Sequence, residues 1–149
     1  MSIRFYGMTK PNPKYWPFSN FYRESFRYNG VIWKTSEHAY QAMKSPIFAV
    51  QETIRLLKTP MEAAELGRSL SLIIEDWDLR KYGFMVDILY AKFSQNPNLK
   101  ILLLETGDEE IIEDSPKDWI WGCGKDGKGQ NLLGKALMEV RAKLMEEGL

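Results

Sequence analysis

The spacing of hydrophobic residues predicts helices along most of the chain. The longest amphipathic stretch runs from Leu79 to Ser94, where large apolar side chains recur every three or four residues. A second long helix is predicted from about Asn131 to Glu147, again with one apolar face. Capping residues and prolines at helix starts predict four shorter helices, at 35–45, 48–57, 60–67 and 97–104.

Extended segments are few and short. Phe26–Tyr28 and Val31–Trp33 flank Asn29-Gly30, a pair suited to positive φ angles, which predicts a tight β-hairpin. Short extended pieces are also expected at 3–6, 111–112 and 119–121, and prolines exclude a helix from the loop at 10–14. Together these elements predict a mainly helical α+β fold with a small antiparallel sheet and no βαβ unit. We expect residues 1–149 to form a single domain.

The composition is that of an ordinary soluble globular protein, with 44% hydrophobic and 27% charged residues. Twenty basic residues balance twenty acidic ones, so nonspecific binding to nucleic acid would need a local basic patch. The single cysteine, Cys123, excludes an internal disulfide, and with only one histidine a zinc site built from Cys and His is not expected. The sequence shows neither a membrane-spanning stretch nor a secretion signal, which predicts a cytoplasmic protein.

Four polar side chains fall on one face of the first predicted helix. Glu37, Tyr40, Gln41 and Lys44 are spaced i, i+3, i+4 and i+7. One interpretation is a solvated face with an acidic residue in the first turn. The other is a pocket wall, in which the helix N-terminus holds Glu37 ionised to stabilise a developing cation or to activate water. His38 points to another face and is interpreted as structural.

An acidic run leads into two tryptophans near the end of the chain. Between residues 105 and 118 the acidic residues far outnumber the single Lys117, a pattern typical of a solvated surface. Trp119 and Trp121 would, however, share one face of an extended piece. The segment could therefore also form a site with an aromatic floor and an acidic edge. A buried or aromatic-flanked Asp118 would have a raised pKa, as a general acid needs.

Two further segments are candidates for binding. The segment 122–131 is close to a P-loop, but Gly129 stands where a Ser or Thr would bind magnesium, so we reject a nucleoside-triphosphatase. A glycine-rich turn before a helix can still bind phosphate through backbone amides, although a mobile surface loop is the simpler alternative. In the segment 16–22, Ser19 and Asn20 would form a local turn, or Asn20 would bind a carbonyl or a sugar hydroxyl.

The motifs, taken in order, resemble one family. They are Phe18-Ser19-Asn20-Phe21-Tyr22, Trp33 to Lys44, Trp77, Arg80, Met85, Ala91-Lys92-Phe93, Thr106-Gly107, Glu113 to Asp118, Trp121-Gly122-x-Gly124 and Gly129-x-Asn131-x-Leu133-Gly134. This combination resembles the NADAR superfamily (YbiA-like domains) over nearly the whole chain. The resemblance implies a compact, mostly helical domain that acts on N-glycosidic bonds of ribosides.

The resemblance also implies a choice of substrates. Some family members hydrolyse ribosylated aminopyrimidines with a 5′-phosphate, which are early riboflavin-pathway intermediates, and this N-glycosidase activity is the one expected here. Others are thought to remove ADP-ribose from guanine in nucleic acid, and a non-catalytic module that binds ADP-ribose or NAD is a further alternative. The partner would be a small riboside phosphate or an ADP-ribosyl group, with nucleic acid only as a modified substrate and no membrane. Zero net charge mildly disfavours a nucleic-acid substrate.

The site residues follow from the same resemblance. Glu37 would stabilise the ribosyl cation or guide water, and Asp118 would bind ribose hydroxyls or protonate the leaving base. Trp77 and Trp121 would stack on the heterocycle, while Lys44 and the glycine-rich turn would hold phosphate. No metal and no cofactor is expected. The remaining expected substrate-binding residues are Ser19, Asn20, Gly122 and Asn131.

Overall fold

The structure is a computed structural model that describes residues 2–8 and 12–148. Each predicted helix is present, with ends within about two residues of the predicted ones, which is the usual uncertainty of helix boundaries. No helix in the described ranges is long and apolar enough to cross a membrane. The α-helices are α1 (Ser36–Met43), α2 (Phe48–Arg55), α3 (Pro60–Ser69), α4 (Trp77–Gln95), α5 (Pro97–Glu105) and α6 (Leu132–Glu147).

The predicted hairpin is confirmed. Strands β2 (Phe26–Tyr28) and β3 (Val31–Trp33) pair antiparallel, with Phe26 opposite Trp33. Between them Asn29 and Gly30 have φ angles of 53° and 80°, the positive values that a tight hairpin turn requires. The mainly helical α+β class with a small antiparallel sheet is therefore correct.

The extended pieces expected at 3–6 and 111–112 form strands, but their parallel pairing was not predicted. Strand β1 (Ser2–Phe5) lies parallel to β4 (Glu110–Glu113), with Ile3 opposite Ile111 and Phe5 opposite Glu113. Ile3, Phe5 and Ile111 are buried, so the pair contributes to the core. The pairing fixes the end of β4, where Glu113 lies.

Two local predictions are wrong. In the proline-rich loop, residues 9–11 lie outside the described residues, but Pro13–Phe18 forms a 3-10 helix. Proline is tolerated at the first helical position because no backbone N–H is needed there. Residues 119–121 form bends instead of an extended piece, and Trp119 is 48% exposed. Backbone bonds from Gln130 and Leu133 to the carbonyls of Trp119 and Trp121 tie this segment to the start of α6.

Helix α4 is the centre of the core. It packs against α1, α5, α6 and strand β2, and its inward side chains meet the apolar faces of those elements. Lys92 lies on the buried face of α4 and is fully buried, at the helical spacing that the sequence indicated. The other fully buried large side chains include Phe5, Phe18, Trp33, Ile54, Met85, Ile88, Leu89, Phe93, Leu103, Ile111 and Leu133.

Candidate active site

A cavity of about 260 Å³ opens between α1, α3, α4 and the segment that follows β4. Its size lies near the lower end of the range typical of small-molecule sites, roughly 300–1,000 Å³. Both carboxylates proposed as catalytic, Glu37 and Asp118, line this one cavity although they are 81 positions apart in the sequence. The lining residues are Ser19, Asn20, Phe21, Glu37, Tyr40, Gln41, Ala64, Arg68, Met85, Glu113, Asp118 and Trp121.

The first turn of α1 positions Glu37. The Thr35 side chain caps the helix by accepting a bond from the backbone N–H of His38 at 3.2 Å. The backbone N–H of Glu37 donates to the carbonyl of Asn20 at 3.1 Å, and Gln41 Nε2 donates to Glu37 Oε2 at 2.6 Å. The pocket-wall interpretation of this helix face is therefore the one that matches the structure.

The electrostatics of Glu37 differ from the sequence-based expectation. Burial raises the pKa of Glu37 above its ordinary value, and the nearby Asp118 adds to the increase. The hydrogen bond from Gln41 and the positive charges of Lys44 and Arg68 act in the opposite direction. Burial outweighs these contributions, so the pKa of Glu37 is raised overall.

Glu113, at the end of β4, is the third carboxyl group of the cavity. Its Oε2 atom is buried and has no hydrogen-bond partner among the described residues. Burial raises the pKa of Glu113 to about 8, and the negative charges of Asp118 and Glu37 contribute further. Around neutral pH this carboxyl group therefore holds a proton that it can donate, which is the role the sequence analysis considered for Asp118.

Gly122 and Asn131 support Glu113 instead of lining the cavity. A Cβ atom added at Gly122 would collide with Glu113 Oε2 and lie 2.9 Å from the carbonyl oxygen of Asp118, so this close approach requires glycine. Asn131 Oδ1 accepts a bond from the backbone N–H of Glu113 at 2.9 Å, and its Nδ2 donates to the carbonyl of Ile111 at 2.9 Å. Two of the expected binding residues thus hold the third carboxyl group in place.

Asp118 and Trp121 belong to one turn at the edge of the cavity. Asp118 Oδ1 accepts bonds from the backbone N–H groups of Ile120 and Trp121 at 3.0 and 2.8 Å, which fix the carboxylate. The Trp121 ring packs edge-on against Tyr40, with centroids 5.3 Å apart. Trp121 therefore lies where a stacking residue was expected.

Ser19 and Asn20 line the cavity as expected, and hydrogen bonds with other residues fix the position of each. Ser19 Oγ accepts a bond from the backbone N–H of Phe21 at 3.1 Å, and its carbonyl accepts one from Lys92 Nζ at 3.1 Å. Asn20 Oδ1 accepts a bond from Ser36 Oγ at 2.7 Å. Burial lowers the pKa of Lys92 to about 7.

Trp77 and Lys44 lie outside the cavity lining. Trp77 is 8% exposed and packs behind Tyr40, with ring centroids 5.3 Å apart, and it also stacks on Phe84. The structure therefore does not bring Trp77 to the cavity wall, and its ring packs as a hydrophobic anchor at the start of α4. Lys44 Nζ lies over the Tyr40 ring, 5.9 Å from its centroid, while Arg68 of α3 is the basic residue among the described residues that line the cavity.

The glycine-rich turn and His38 are not part of this cavity. Gly127 and Gly129 line a separate cavity beside Arg4 and Cys123. The structure therefore does not bring the glycine-rich turn to the cavity of Glu37, because the turn folds back toward β4. His38 is buried, with Nδ1 2.7 Å from Thr35 Oγ1 and Nε2 3.0 Å from the Leu57 carbonyl, as a structural histidine would be. Burial lowers its pKa below the ordinary value.

Sequence reasoning missed two charged residues of the cavity. Arg68 stands in the last turn of α3, where basic residues are favoured for helix stability alone, so nothing marks it as a site residue. Glu113 directly follows the buried pair Ile111-Ile112, and an acid at the end of a buried strand is a signal that could have found it. The described residues contain no group of three or more His, Cys, Asp or Glu placed to hold a metal ion.

Comparison with known proteins identifies the family. The NADAR domain family matches residues 4–145. The chain belongs to the NADAR family. This NADAR protein is 41% identical over 148 residues to N-glycosidase Npun_R5314 of Nostoc punctiforme. The match covers 97% of this chain and 93% of that protein. It is 39% identical over 146 residues to N-glycosidase YbiA of Escherichia coli (strain K12), with coverage of 97% and 89%.

The similarity extends to structure. The NMR structure of E. coli YbiA matches this NADAR chain with a TM-score of 0.89 at 38% identity, over 99% of this chain and 86% of that one. A longer relative, riboflavin biosynthesis protein VVA0006 of Vibrio vulnificus, is 39% identical over 145 residues, covering 97% of this chain and 39% of that protein. The near-full-length match to two N-glycosidases makes this NADAR protein an N-glycosidase, a hydrolase acting on N-glycosyl compounds.

Proposed function

We propose that this N-glycosidase hydrolyses the ribosyl C–N bond of a ribosylated aminopyrimidine that carries a 5′-phosphate, as in early intermediates of riboflavin biosynthesis. The observation that supports the proposal most is the meeting of Glu37, Glu113 and Asp118 at one ring-lined cavity. Cleavage of a ribosyl C–N bond develops positive charge on the sugar and negative charge on the departing nitrogen. An ionised carboxylate stabilises the positive charge on the sugar, and a protonated carboxyl group neutralises the departing nitrogen by donating its proton.

Glu37 and Asp118 are suited to the sugar side of the reaction. Glu37 lies inside the cavity with its Oε2 fixed by Gln41, so an ionised carboxylate there faces the developing ribosyl cation or accepts a proton from the attacking water. Asp118 is held by two backbone N–H groups and is placed to accept bonds from ribose hydroxyls.

Glu113 is suited to the leaving group. Its pKa, raised to about 8 chiefly by burial, keeps the carboxyl group protonated at neutral pH, and Glu113 lines the cavity in which the departing nitrogen would lie. This assignment moves the acid role from Asp118 to Glu113.

A 5′-phosphate is accommodated by the basic residues beside Glu37. Arg68 lines the cavity, and Lys44 lies close enough to Glu37 and Arg68 to interact with both charges. Burial lowers the pKa of Lys44, and the charges of Arg68 and Lys81 add to the decrease, while Glu37 acts in the opposite direction. A phosphate monoester would bring further negative charge to these cations, with Arg68 as the donor best shaped to bind it.

The relatives and the charge balance favour a small substrate over nucleic acid. One similar protein is named for riboflavin biosynthesis. The chain has equal numbers of basic and acidic residues, and therefore lacks the excess positive charge that usually accompanies binding to a nucleic-acid backbone. The similarity to curated N-glycosidases favours catalysis over simple binding of ADP-ribose or NAD.

The test is a substrate screen. The protein is incubated with a ribosylated aminopyrimidine 5′-phosphate, with its dephosphorylated form and with ADP-ribosylated guanine in DNA. Mass spectrometry measures the free heterocycle from the first two compounds and free ADP-ribose from the DNA. We expect release from the first compound and at least tenfold slower release from the second, because the phosphate contact is lost. Release of ADP-ribose from the DNA, with no release from either riboside, would instead support the nucleic-acid alternative and overturn the proposal.

A further inference from the structure

A second cavity adjoins the active-site cavity. It measures about 440 Å³ and shares three lining residues with the first: Ser19, Phe21 and Glu113. Its other lining residues are Tyr6, Gly7 and Met61. The two cavities therefore meet at Glu113, and we call the second one the apolar chamber.

The apolar chamber and the active-site cavity differ in chemistry. Tyr6 and Phe21 offer aromatic surface to the chamber, and Met61 offers a polarisable thioether that packs well against rings. Among the described residues that line the chamber, Glu113 is the one acidic residue and none is basic. A flat heterocycle fits this lining, whereas a sugar or a phosphate does not.

Helix α3 runs past both spaces. Met61 lines the chamber, and Ala64 and Arg68 line the active-site cavity, at positions i, i+3 and i+7 on one helix face. Seven residues of helix separate the Cα atoms of Met61 and Arg68 by about 10 Å. The groove alongside α3 thus has an apolar end and a cationic end, with the carboxyl groups between them.

Glu113 stands at the boundary of the two spaces. It lines both, and its buried Oε2 has no partner among the described residues. Gly122 leaves room for this oxygen, and Asn131 fixes the backbone of Glu113 from the other side. An unpartnered polar atom in this position points to a ligand atom that bonds with it when substrate is bound.

We propose that the apolar chamber is the subsite for the leaving heterocycle, so that the substrate lies along α3 with its base near Met61, its ribose among the carboxyl groups and its phosphate near Arg68. The inference rests on the proposed function and adds a direction of binding to it. In the reaction the C–N bond breaks and its electron pair stays on nitrogen, which takes the proton from Glu113. Water bonds to the anomeric carbon and gives a proton to Glu37; solvent then restores both carboxyl groups.

Product inhibition tests this orientation. The probes are 5,6-diaminouracil for the heterocycle and ribose 5-phosphate for the sugar phosphate, each titrated against turnover of the substrate found in the screen. We expect Met61→Ala to weaken inhibition by 5,6-diaminouracil about five- to tenfold and to leave inhibition by ribose 5-phosphate unchanged. Arg68→Ala should weaken inhibition by ribose 5-phosphate and leave inhibition by 5,6-diaminouracil unchanged. Met61 is 52% exposed, so its replacement leaves the core intact.

Two controls make the result specific. Met145 is also an exposed methionine, 38% accessible, but lies on α6, and Met145→Ala should change neither inhibition constant. Met61→Leu keeps an apolar side chain, and its inhibition constant for 5,6-diaminouracil should stay within about twofold of the wild-type value.

Unchanged inhibition by 5,6-diaminouracil in Met61→Ala, or no inhibition of the wild type by this probe, would overturn the orientation while turnover still supports the proposed function. Failure of the wild type to release any heterocycle would instead overturn both.

Discussion

Three carboxyl groups share one cavity, and their protonation is set by different surroundings. Glu37 is bonded to Gln41 and lies near the cations Lys44 and Arg68, whereas Glu113 has a buried oxygen without a partner. Like charges and burial raise the pKa of Glu113 to about 8, with burial the larger cause. A carboxyl group that keeps its proton around neutral pH is what a general acid requires.

Glu113→Gln should remove the alkaline limb of the pH–rate profile. Glu113 acts as an acid only while protonated, so turnover of the wild type should fall as the pH rises through about 8. The variant cannot donate a proton in the same way, and we expect kcat to drop by about 10²–10⁴. The measurement is kcat/KM from neutral to alkaline pH.

Stability provides an internal check on the same variant. Burial disfavours the ionised form of Glu113, so the folded state binds its proton more tightly than the unfolded state, and the wild type should lose stability as the pH rises from 4.5 to about 8. Glu113→Gln should lose that pH dependence. Glu146→Gln, an exposed site on α6, serves as the control. An unchanged alkaline limb in Glu113→Gln would show that another group is the acid.

Gly122→Ala should lower activity by displacing Glu113. The added methyl group would collide with Glu113 Oε2, and we expect at least a tenfold loss of kcat. Gly83→Ala is the matched control, because nothing lies within 4 Å of a Cβ atom at that exposed position in α4. Its expected effect is a gain of about 0.5–1 kcal/mol in unfolding free energy with unchanged kcat. Normal turnover by Gly122→Ala would contradict the close packing described here.

The sequence predicts some of these residues and not others. Glu37, Tyr40 and Gln41 share a helix face, so their common wall follows from helical periodicity. Glu113 and Arg68 reach the cavity only through tertiary packing, because a strand pairing places one and the α1–α3 contact places the other. No local pattern contains that information.

At the scale of the elements, local signals were sufficient for the helices and insufficient for the parallel strand pair. Caps, prolines and apolar periodicity act within a few residues, and Thr35, Pro60 and Pro97 mark helix starts where the sequence placed them. The pairing of β1 with β4 joins segments more than 100 residues apart and leaves no comparable local signature. The aromatic segment 119–121 failed for a related reason, since its conformation depends on bonds to α6.

The cap of α1 should be important for both stability and activity. Thr35→Ala removes the bond to the His38 backbone and the contact with His38 Nδ1 in a fully buried place. We expect a loss of about 2 kcal/mol in unfolding free energy, measured by urea denaturation. Activity should also fall, because Glu37 lies in the first turn. Thr35→Ser keeps the hydroxyl and should lose less than half as much; equal losses in both variants would contradict the capping role.

Across the whole molecule, the buried Lys92 should shape the dependence of stability on pH. Burial lowers its pKa from 10.5 to about 7, so the unfolded state binds the proton more tightly between these values. Stability should therefore rise with pH in this window, by an amount on the order of a few kcal/mol. In Lys92→Met this contribution should disappear, which urea denaturation at neutral and alkaline pH can measure. Lys135→Met, at an exposed site, should keep the wild-type slope, and an unchanged slope in Lys92→Met would contradict the effect.

The most direct test of the carboxylate cavity is the single-turnover rate of Glu37→Gln on the substrate that the wild type cleaves. The variant keeps the size of the side chain beside Gln41 and can no longer carry a negative charge. The account predicts a rate at least a hundredfold below that of the wild type, with a melting temperature no lower than that of the wild type. A rate close to that of the wild type in a correctly folded variant would contradict it.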